Sequence, residues 1–298
     1  MKELVVISGK GGTGKTSIVA SFAALANGKV LADCDVDAAD LHLVLEPGVV
    51  HREVFKGGKK ARIKTGHCAA CGTCEELCAF DAIYFDGPGN GVVGKTYRVD
   101  PFSCEGCGLC VRFCPARAIE FKEARSGEWF ISRTRFGPMV HARLGPAEEN
   151  SGKLVTLVRN KAREVAERDG LGLIIVDGAP GIGCPVIASI GAADMVLIVT
   201  EPTLSAVHDM ERVEKLTRDF GVKTLICINK YDLNREITAH IEKWAETAGL
   251  RIAGKIRYDP AVTKAQIMKS SVVEYTDRPV SGDIKDVWRN VSFALELN

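Results

Sequence analysis

Short apolar segments alternate with helical segments along most of this chain of 298 residues. Six of the apolar segments have the length and continuous apolar character of a buried strand: KELVVIS near the start, KVLAD, LGLIIVD at 171–177, ADMVLIVT at 193–200, VKTLICIN at 222–229 and RIAGKI at 251–256. Strands that alternate with helices predict an α/β fold, a doubly wound and mostly parallel sheet covered on both faces.

A cysteine-rich segment interrupts this alternation. Eight of the eleven cysteines lie in the 47 residues from Cys68 to Cys114, and a reducing compartment does not preserve so many thiols without a use for them. A shift of 36 residues superimposes the first four cysteines on the last four, together with Gly72 on Gly108. The segment is therefore a duplicated unit, inserted at 61–124 into an α/β domain formed by 1–60 and 125–298.

Each half of the insert contains Cys-x₂-Cys-x₂-Cys-x₃-Cys. The second run, Cys104 to Pro115, also has the following proline, whereas Ala79 stands at that place in the first. The runs resemble those of two-cluster bacterial ferredoxins, so the insert is expected to be a small α+β ferredoxin domain. The resemblance implies two [4Fe–4S] clusters, each taking its fourth ligand from the other run: Cys68, Cys71, Cys74 and Cys114 for one, and Cys104, Cys107, Cys110 and Cys78 for the other. Zinc is the competing interpretation, but a zinc ribbon does not need four cysteines at this spacing.

A glycine-rich loop follows the first predicted strand and precedes a helical segment. Residues 9–16, GKGGTGKT, fit the phosphate-loop pattern G-x-x-x-x-G-K-[ST] in the required strand-to-helix context. The glycines let backbone N–H groups surround a phosphate at the positive end of the helix dipole. We expect Lys15 to contact the β- and γ-phosphates and Thr16 to ligate Mg²⁺. The predicted phosphate-binding residues are Gly9, Lys10, Gly11, Gly12, Thr13, Gly14, Lys15, Thr16 and Ser17.

The additional lysine of this loop, Lys10, makes it similar to the deviant phosphate-loop ATPases, the group of MinD, ParA and the nitrogenase iron protein. That resemblance implies a nucleotide-sandwich homodimer in which Lys10 reaches the partner's phosphates, as an arginine finger does elsewhere. It further implies that Asp35 orients the attacking water, with Asp37 as the second candidate, and that Asp177 holds Mg²⁺. The predicted catalytic residues are Lys10, Lys15 and Asp35. Nearby Cys184 is expected to be a small core residue.

The identity of the base depends on Asn229-Lys230-Tyr231-Asp232, after the fifth strand. N-K-x-D is the guanine-reading pattern of GTPases, whereas in MinD-like proteins the asparagine at this point reads adenine. We predict that Asn229 and Asp232 bind the nucleotide and that the nucleotide is ATP, with GTP as the open alternative. Arg257 stands where related proteins typically carry proline.

The charge balance limits the possible partners. Lys plus Arg number 39 against 38 for Asp plus Glu, a net charge of +1, which gives no basis for bulk binding to nucleic acid or to an anionic membrane. No apolar run approaches the roughly 20 residues of a membrane-spanning helix, and the start of the chain lacks the pattern of a signal peptide. The expectations are a cytoplasmic protein, no nucleic-acid partner and no stable membrane insertion.

These features lead to one main functional prediction and two alternatives. The main prediction is a Mg²⁺-dependent ATPase that couples its nucleotide state and dimerisation to electron transfer through two [4Fe–4S] clusters, with a redox or metallocofactor protein as partner. One alternative is an ATP-gated carrier or assembly protein for iron–sulfur or other metal cofactors. The other is a MinD- or ParA-like positioning ATPase whose ferredoxin insert is a docking module.

Overall fold

The computed structural model describes residues 1–145 and 152–297. These residues form two compact units. The first contains Met1–Glu53, Trp129–Arg143 and the described residues from 152 onward, and the second contains Val54–Glu128 with Leu144 and Gly145. The second unit thus contains the whole cysteine-rich segment.

The strands and helices of both units are numbered together in chain order. The strands are β1 (Lys2–Ser8), β2 (Lys29–Asp33), β3 (Gly48–Phe55), β4 (Gly58–Ile63), β5 (Ile83–Gly87), β6 (Thr96–Val99), β7 (Ile119–Ala124), β8 (Gly127–Thr134), β9 (Gly137–Leu144), β10 (Leu173–Pro180), β11 (Met195–Thr200), β12 (Lys223–Asn229) and β13 (Arg251–Ile256). The helices are α1 (Lys15–Leu25), α2 (Leu41–Leu45), α3 (Thr73–Glu76), α4 (Leu109–Phe113), α5 (Gly152–Asp169), α6 (Cys184–Ile190), α7 (Leu204–Asp219), α8 (Arg235–Thr247), α9 (Ala261–Ile267), α10 (Val272–Tyr275) and α11 (Pro279–Ala294).

The main sheet has nine strands in the order β13-β12-β11-β1-β10-β2-β9-β8-β3. Six neighbouring pairs, from β13 across to β9, are parallel. Strands β10 and β11 are buried along nearly their whole length, as expected for a parallel sheet with helices on both faces. The predicted α/β fold with a mostly parallel sheet is confirmed, and all six predicted strands are present.

The chain that follows the cysteine-rich segment differs from its prediction. The sequence at 130–146 indicates irregular short strands broken by Gly and Pro; Pro146 itself lies outside the described residues. Instead, β8 and β9 are each eight residues long and join the main sheet. Strand β9 pairs in parallel with β2 from Leu31↔Met139 to Asp33↔His141. The glycine and proline at 137 and 138 mark the start of β9, where a proline does not interrupt the hydrogen bonding of a strand.

Helix α1 anchors the glycine-rich loop to the core of the first unit. Ile18, Val19, Phe22 and Ala23 are at most 2% exposed, and the Phe22 ring lies 4.9 Å from that of Trp288 in α11. Because α1 begins at Lys15 and is surrounded by core side chains, the position of the loop before it is fixed by packing.

The second unit contains two small antiparallel sheets, β4 with β7 and β5 with β6. The repeat is visible in the backbone, since α3 follows Gly72 at φ 85° and α4 follows Gly108 at φ 76°. Its small core combines Ala61, Ile83 and Ile119 with several cysteines. Within 1–145 and 152–297, no helix has both the length and the apolar character needed to cross a bilayer.

Candidate functional site

The glycine-rich loop has the backbone conformation that a phosphate-binding loop requires. Gly12 and Gly14 have φ values of 79° and 89°, in the left-handed region that side chains disfavour. A Cβ atom at Gly14 would lie 2.4 Å from Nδ2 of Asn229. Substitution there would therefore strain the backbone and displace Asn229.

A cleft of about 660 Å³ opens above this loop. Its lining includes most of the predicted phosphate-binding residues, Gly11 to Ser17, together with Asp35 and Asn229. Tyr258 and Val262, which follow β13, line another part of the wall. Gly9, Lys10, Asp177 and Asp232 do not line the cleft; at Gly9 a Cβ would lie 2.4 Å from that of Asp209, so close packing requires this glycine.

Lys15 lies between two of the predicted acidic residues. Its Nζ is 3.0 Å from Oδ2 of Asp35 and 2.7 Å from Oδ1 of Asp177, and all three side chains are at most 12% exposed. Burial by itself lowers the pKa of Lys15, but the charges of Asp177 and Asp35 outweigh it and hold that pKa above its usual range. The structure thus brings together the lysine, the predicted Mg²⁺ residue and the predicted water-orienting residue.

Asp33 is a member of this acidic group that sequence reasoning missed. It is fully buried at the end of β2, and burial, reinforced by the charge of Asp177, raises its pKa well above the usual value. Oδ2 of Asp33 and Oδ2 of Asp177 are buried without a hydrogen-bond partner among the described residues. The available signal was the position of Asp33 at the carboxyl end of a parallel strand, where such sheets bind ligands.

The donor set of this acidic group fits Mg²⁺. Mg²⁺ is usually held by one or two carboxylates together with substrate phosphates and waters, so Thr16 and Asp177 with a bound nucleotide would suffice. No arrangement of three or more His, Cys, Asp or Glu side chains suited to a metal ion occurs in the described part of the chain. The assignment of Thr16 and Asp177 to Mg²⁺ stays a prediction.

Lys10 is bound by its own subunit through Glu201, a residue that the sequence analysis did not identify. Lys10 Nζ lies 2.9 Å from Oε1 of Glu201, and Lys230 Nζ lies 2.9 Å from Oε2. Burial would raise the pKa of Glu201, but the hydrogen bonds from Lys230 and Lys10 hold it below its ordinary value. Glu201 is therefore ionised at neutral pH.

The segment that would read the base is held together by backbone contacts. Asn229 donates from Nδ2 to the carbonyl of Thr13 at 2.7 Å. Asp232 accepts from the backbone N–H of Tyr258 at 2.7 Å, so its carboxylate fixes the chain that follows β13. Arg257, at the position where related proteins carry proline, is paired with Asp283 at 2.6 Å.

The eight clustered cysteines line two small pockets of the second unit. One is lined by Cys68, Cys71, Cys74 and Cys114, and the other by Cys78, Cys104, Cys107 and Cys110. All eight are free thiols, and backbone N–H groups of Ala82 and Ala118 donate to sulfurs of Cys78 and Cys114 at 3.4 and 3.3 Å. Four thiols in each pocket suit the ligand number of a [4Fe–4S] cluster, although these side chains do not form a metal-holding group as they stand. The cluster assignment therefore remains a prediction.

The prediction for Cys184 is wrong. This residue is the first of α6 and is exposed, whereas Cys34 and Cys227 are buried. Free cysteines are usually buried, which favoured a core position, but the helix exposes its first residue and buries Val186 and Ile190 instead.

Comparison with known proteins identifies relatives over most of the chain. The sequence model of the CobQ/CobB/MinD/ParA nucleotide-binding domain matches residues 4–272. The uncharacterized protein MJ0578 of Methanocaldococcus jannaschii is 35% identical over 241 residues, 78% of this chain and 79% of that protein. MJ0579 of the same organism is 25% identical over 300 residues, 93% of this chain and 94% of the relative.

Solved structures share the fold at low sequence identity. The cell division ATPase MinD of Pyrococcus furiosus has a TM-score of 0.57 at 16% identity and covers 98% of this chain and 99% of its own. A ParA family ATPase from Chlorobium tepidum has a TM-score of 0.56 at 18% identity, covering 97% and 98%. At such identities the likeness establishes the fold alone.

Proposed function

Because the chain belongs to the CobQ/CobB/MinD/ParA nucleotide-binding family, we propose that it is a Mg²⁺-dependent ATPase that alternates between a monomer and an ATP-bound homodimer. The observation that carries this proposal is the position of Lys15, between Asp35 and Asp177 beneath the glycine-rich loop. Lys15 is buried with two carboxylates at the N-terminus of α1. It can replace its ion pair with one carboxylate by an ion pair with a phosphate, so its ammonium group is paired with negative charge both before and after the nucleotide binds.

Each charged group of the cleft has a separate task in this proposal. Lys15 binds the β- and γ-phosphate oxygens and releases Asp35 as it does so. Burial raises the pKa of Asp35 above its usual value, which improves a carboxylate as an acceptor of the proton of the attacking water. Thr16 and Asp177 would hold Mg²⁺, whose charge balances that of the phosphates. Lys10 of one subunit neutralises charge on the γ-phosphate bound by its partner.

The comparisons favour a positioning function over electron transfer as the use of this switch. The structural relatives include a cell division ATPase MinD and a ParA family ATPase. We therefore propose, as the first candidate, a MinD- or ParA-like ATPase whose ATP-bound dimer recruits a protein partner through the cysteine-containing unit.

Electron transfer is the second candidate, because of one specific observation. The eight thiols sort into two groups of four, and each group takes one cysteine from the other run. Two [4Fe–4S] clusters held by these groups would supply one-electron chemistry. The backbone N–H groups that point at Cys78 and Cys114 would stabilise the negative charge of the thiolates.

Anaerobic purification with iron and sulfide analysis separates these candidates. The experiment adds EPR spectroscopy of the reduced protein with and without Mg-ATP, and light scattering for dimerisation. ATP-dependent dimerisation supports the ATPase switch, and its absence refutes it. About eight irons per chain, with an EPR signal that changes when Mg-ATP is added, supports electron transfer. Clusters that pass to an apo-acceptor upon ATP addition indicate a carrier. Zinc bound by the eight cysteines refutes both electron transfer and the carrier function.

A further inference from the structure

One carboxylate binds two lysines beside the phosphate loop. Glu201, which directly follows β11, has a side chain that is 15% exposed, against 31% for Lys10 and 28% for Lys230. Each of its oxygen atoms contacts a different lysine at 2.9 Å. Glu201 therefore links the side chain of Lys10, near the start of the loop, to that of Lys230, which follows β12.

The two lysines differ in their remaining contacts. Lys10 Nζ also donates to the hydroxyls of Thr203 and Ser205, both at 3.2 Å, so within the described part of the chain the partners of this ammonium group all come from 201–205. Lys230 Nζ instead donates to the carbonyl of Gly12 at 3.1 Å, and its own backbone has the left-handed φ of 54°. The ammonium group of Lys10 is thus bound to 201–205, whereas that of Lys230 also contacts the backbone of the loop at Gly12.

We propose that Glu201 is a positioning residue that retains Lys10 on its own subunit and thereby sets the ATP concentration at which the dimer forms. This inference rests on the proposed function, in which Lys10 contacts the partner's nucleotide. An ammonium group paired with Glu201 is not free to reach across the dimer, so the ion pair must break first. When Lys10 leaves, Glu201 keeps Lys230 as its partner, and no carboxylate is left unpaired.

The arrangement also explains why the restraint can be overcome. A triphosphate carries more negative charge than one carboxylate, and the Lys10–Glu201 ion pair is partly exposed, so that water and salt weaken it. Phosphate oxygens of the partner's nucleotide therefore outcompete Glu201 once two ATP-loaded subunits meet. Subunits without ATP offer no such replacement and keep Lys10 paired.

The test measures the ATP concentration that gives half-maximal dimerisation, by light scattering of the 298-residue chain. Glu201→Gln keeps the shape of the side chain and removes its charge, so this concentration should fall about fivefold. Glu201→Asp, which keeps the charge but is too short to bridge both lysines, should shift it in the same direction by less. The exposed Glu167→Gln in α5 controls for the change in net charge.

A double-mutant cycle shows whether Glu201 acts through Lys10. In a Lys10→Ala background, Glu201→Gln should leave the residual dimerisation threshold unchanged. An unchanged or higher threshold in the single variants would overturn the inference, as would an equal shift with and without Lys10. If the unmodified chain binds ATP yet never dimerises, the proposed function fails as well, and the two failures are thereby distinguished.

Discussion

Replacement of Lys15 by alanine should destabilise the protein as well as prevent nucleotide binding. The substitution leaves Asp33, Asp35 and Asp177 close together, buried and without their cation. Removal of one member of a buried ion pair typically lowers the free energy of unfolding by about 3–5 kcal/mol. We expect a loss of that size at pH 7 in the absence of nucleotide.

The loss should shrink as the pH falls, and its sign follows from linkage. Lys15 lowers the pKa of Asp33 and of Asp35, so in the variant both carboxylates bind protons at higher pH than before. A carboxyl group with a raised pKa in the folded state contributes most stability at low pH and loses it as the pH rises. The difference between the variant and the unmodified chain is therefore largest at neutral pH and decreases toward about pH 4.

Urea denaturation at a series of pH values measures this difference. Lys10→Ala is the matched control, because Lys10 is paired but 31% exposed, and its removal should cost less than about 1 kcal/mol at any pH. A Lys15→Ala loss below about 1 kcal/mol at pH 7, or one that does not change with pH, would refute the electrostatic argument. Iron content and visible absorbance should be unaffected, because Lys15 belongs to the first unit and the cysteines to the second.

Four further predictions concern individual residues. Asp33→Asn should raise the free energy of unfolding at pH 7 by about 1 kcal/mol in urea titrations, because burial and the charge of Asp177 disfavour the ionised form of the carboxyl group that it replaces; a lower stability would contradict this. Lys10→Ala should spare ATP binding by the monomer but reduce ATP-dependent dimerisation and phosphate release, and unchanged turnover would exclude the sandwich mechanism. Cys71→Ser should lower the iron content of anaerobic protein, whereas Cys184→Ser, at an equally exposed thiol outside both pockets, should not. Burial and His42 lower the pKa of His141 to about 4, so NMR titration should find it neutral at pH 5, and its contribution to stability should fall as the pH drops from about 6.5 toward 4.

The proposed site also explains why the acidic group is retained at a cost in stability. Lys15 is paired with Asp35 and Asp177, Asp33 is buried near them, and two of the carboxylate oxygens have no hydrogen-bond partner within residues 1–145 and 152–297. Buried polar atoms without a partner are rare in native proteins, and a ligand or ion that binds there is one explanation for them. Binding of ATP with Mg²⁺ should therefore raise the unfolding midpoint more than binding of ATP alone, which thermal denaturation can measure.

Features that depend on a local sequence pattern were predictable from the sequence. Continuous apolar runs identified six of the seven strands that pair in parallel, and the spacing of glycines identified the loop whose backbone reaches φ values of 79° and 89°. The 36-residue repeat identified the two cysteine runs, and the resemblance of these runs to those of two-cluster ferredoxins implied the grouping of cysteines that lines the two pockets. Each of these signals depends on neighbours within a few residues or on a repeated motif.

Contacts between distant segments were decided only by the tertiary structure. The pairing of Lys10 with Glu201 joins residues 191 positions apart, and the burial of Asp33 results from β10, whose Asp177 is its register partner. Strands β8 and β9 were predicted only as irregular short strands, because β9 is supported by β2, more than 100 residues earlier, and β8 lies beside β9. Local sequence determines which segments become strands and loops, whereas the pKa of a carboxylate and the partner of a lysine depend on which segments the folded sheet brings side by side.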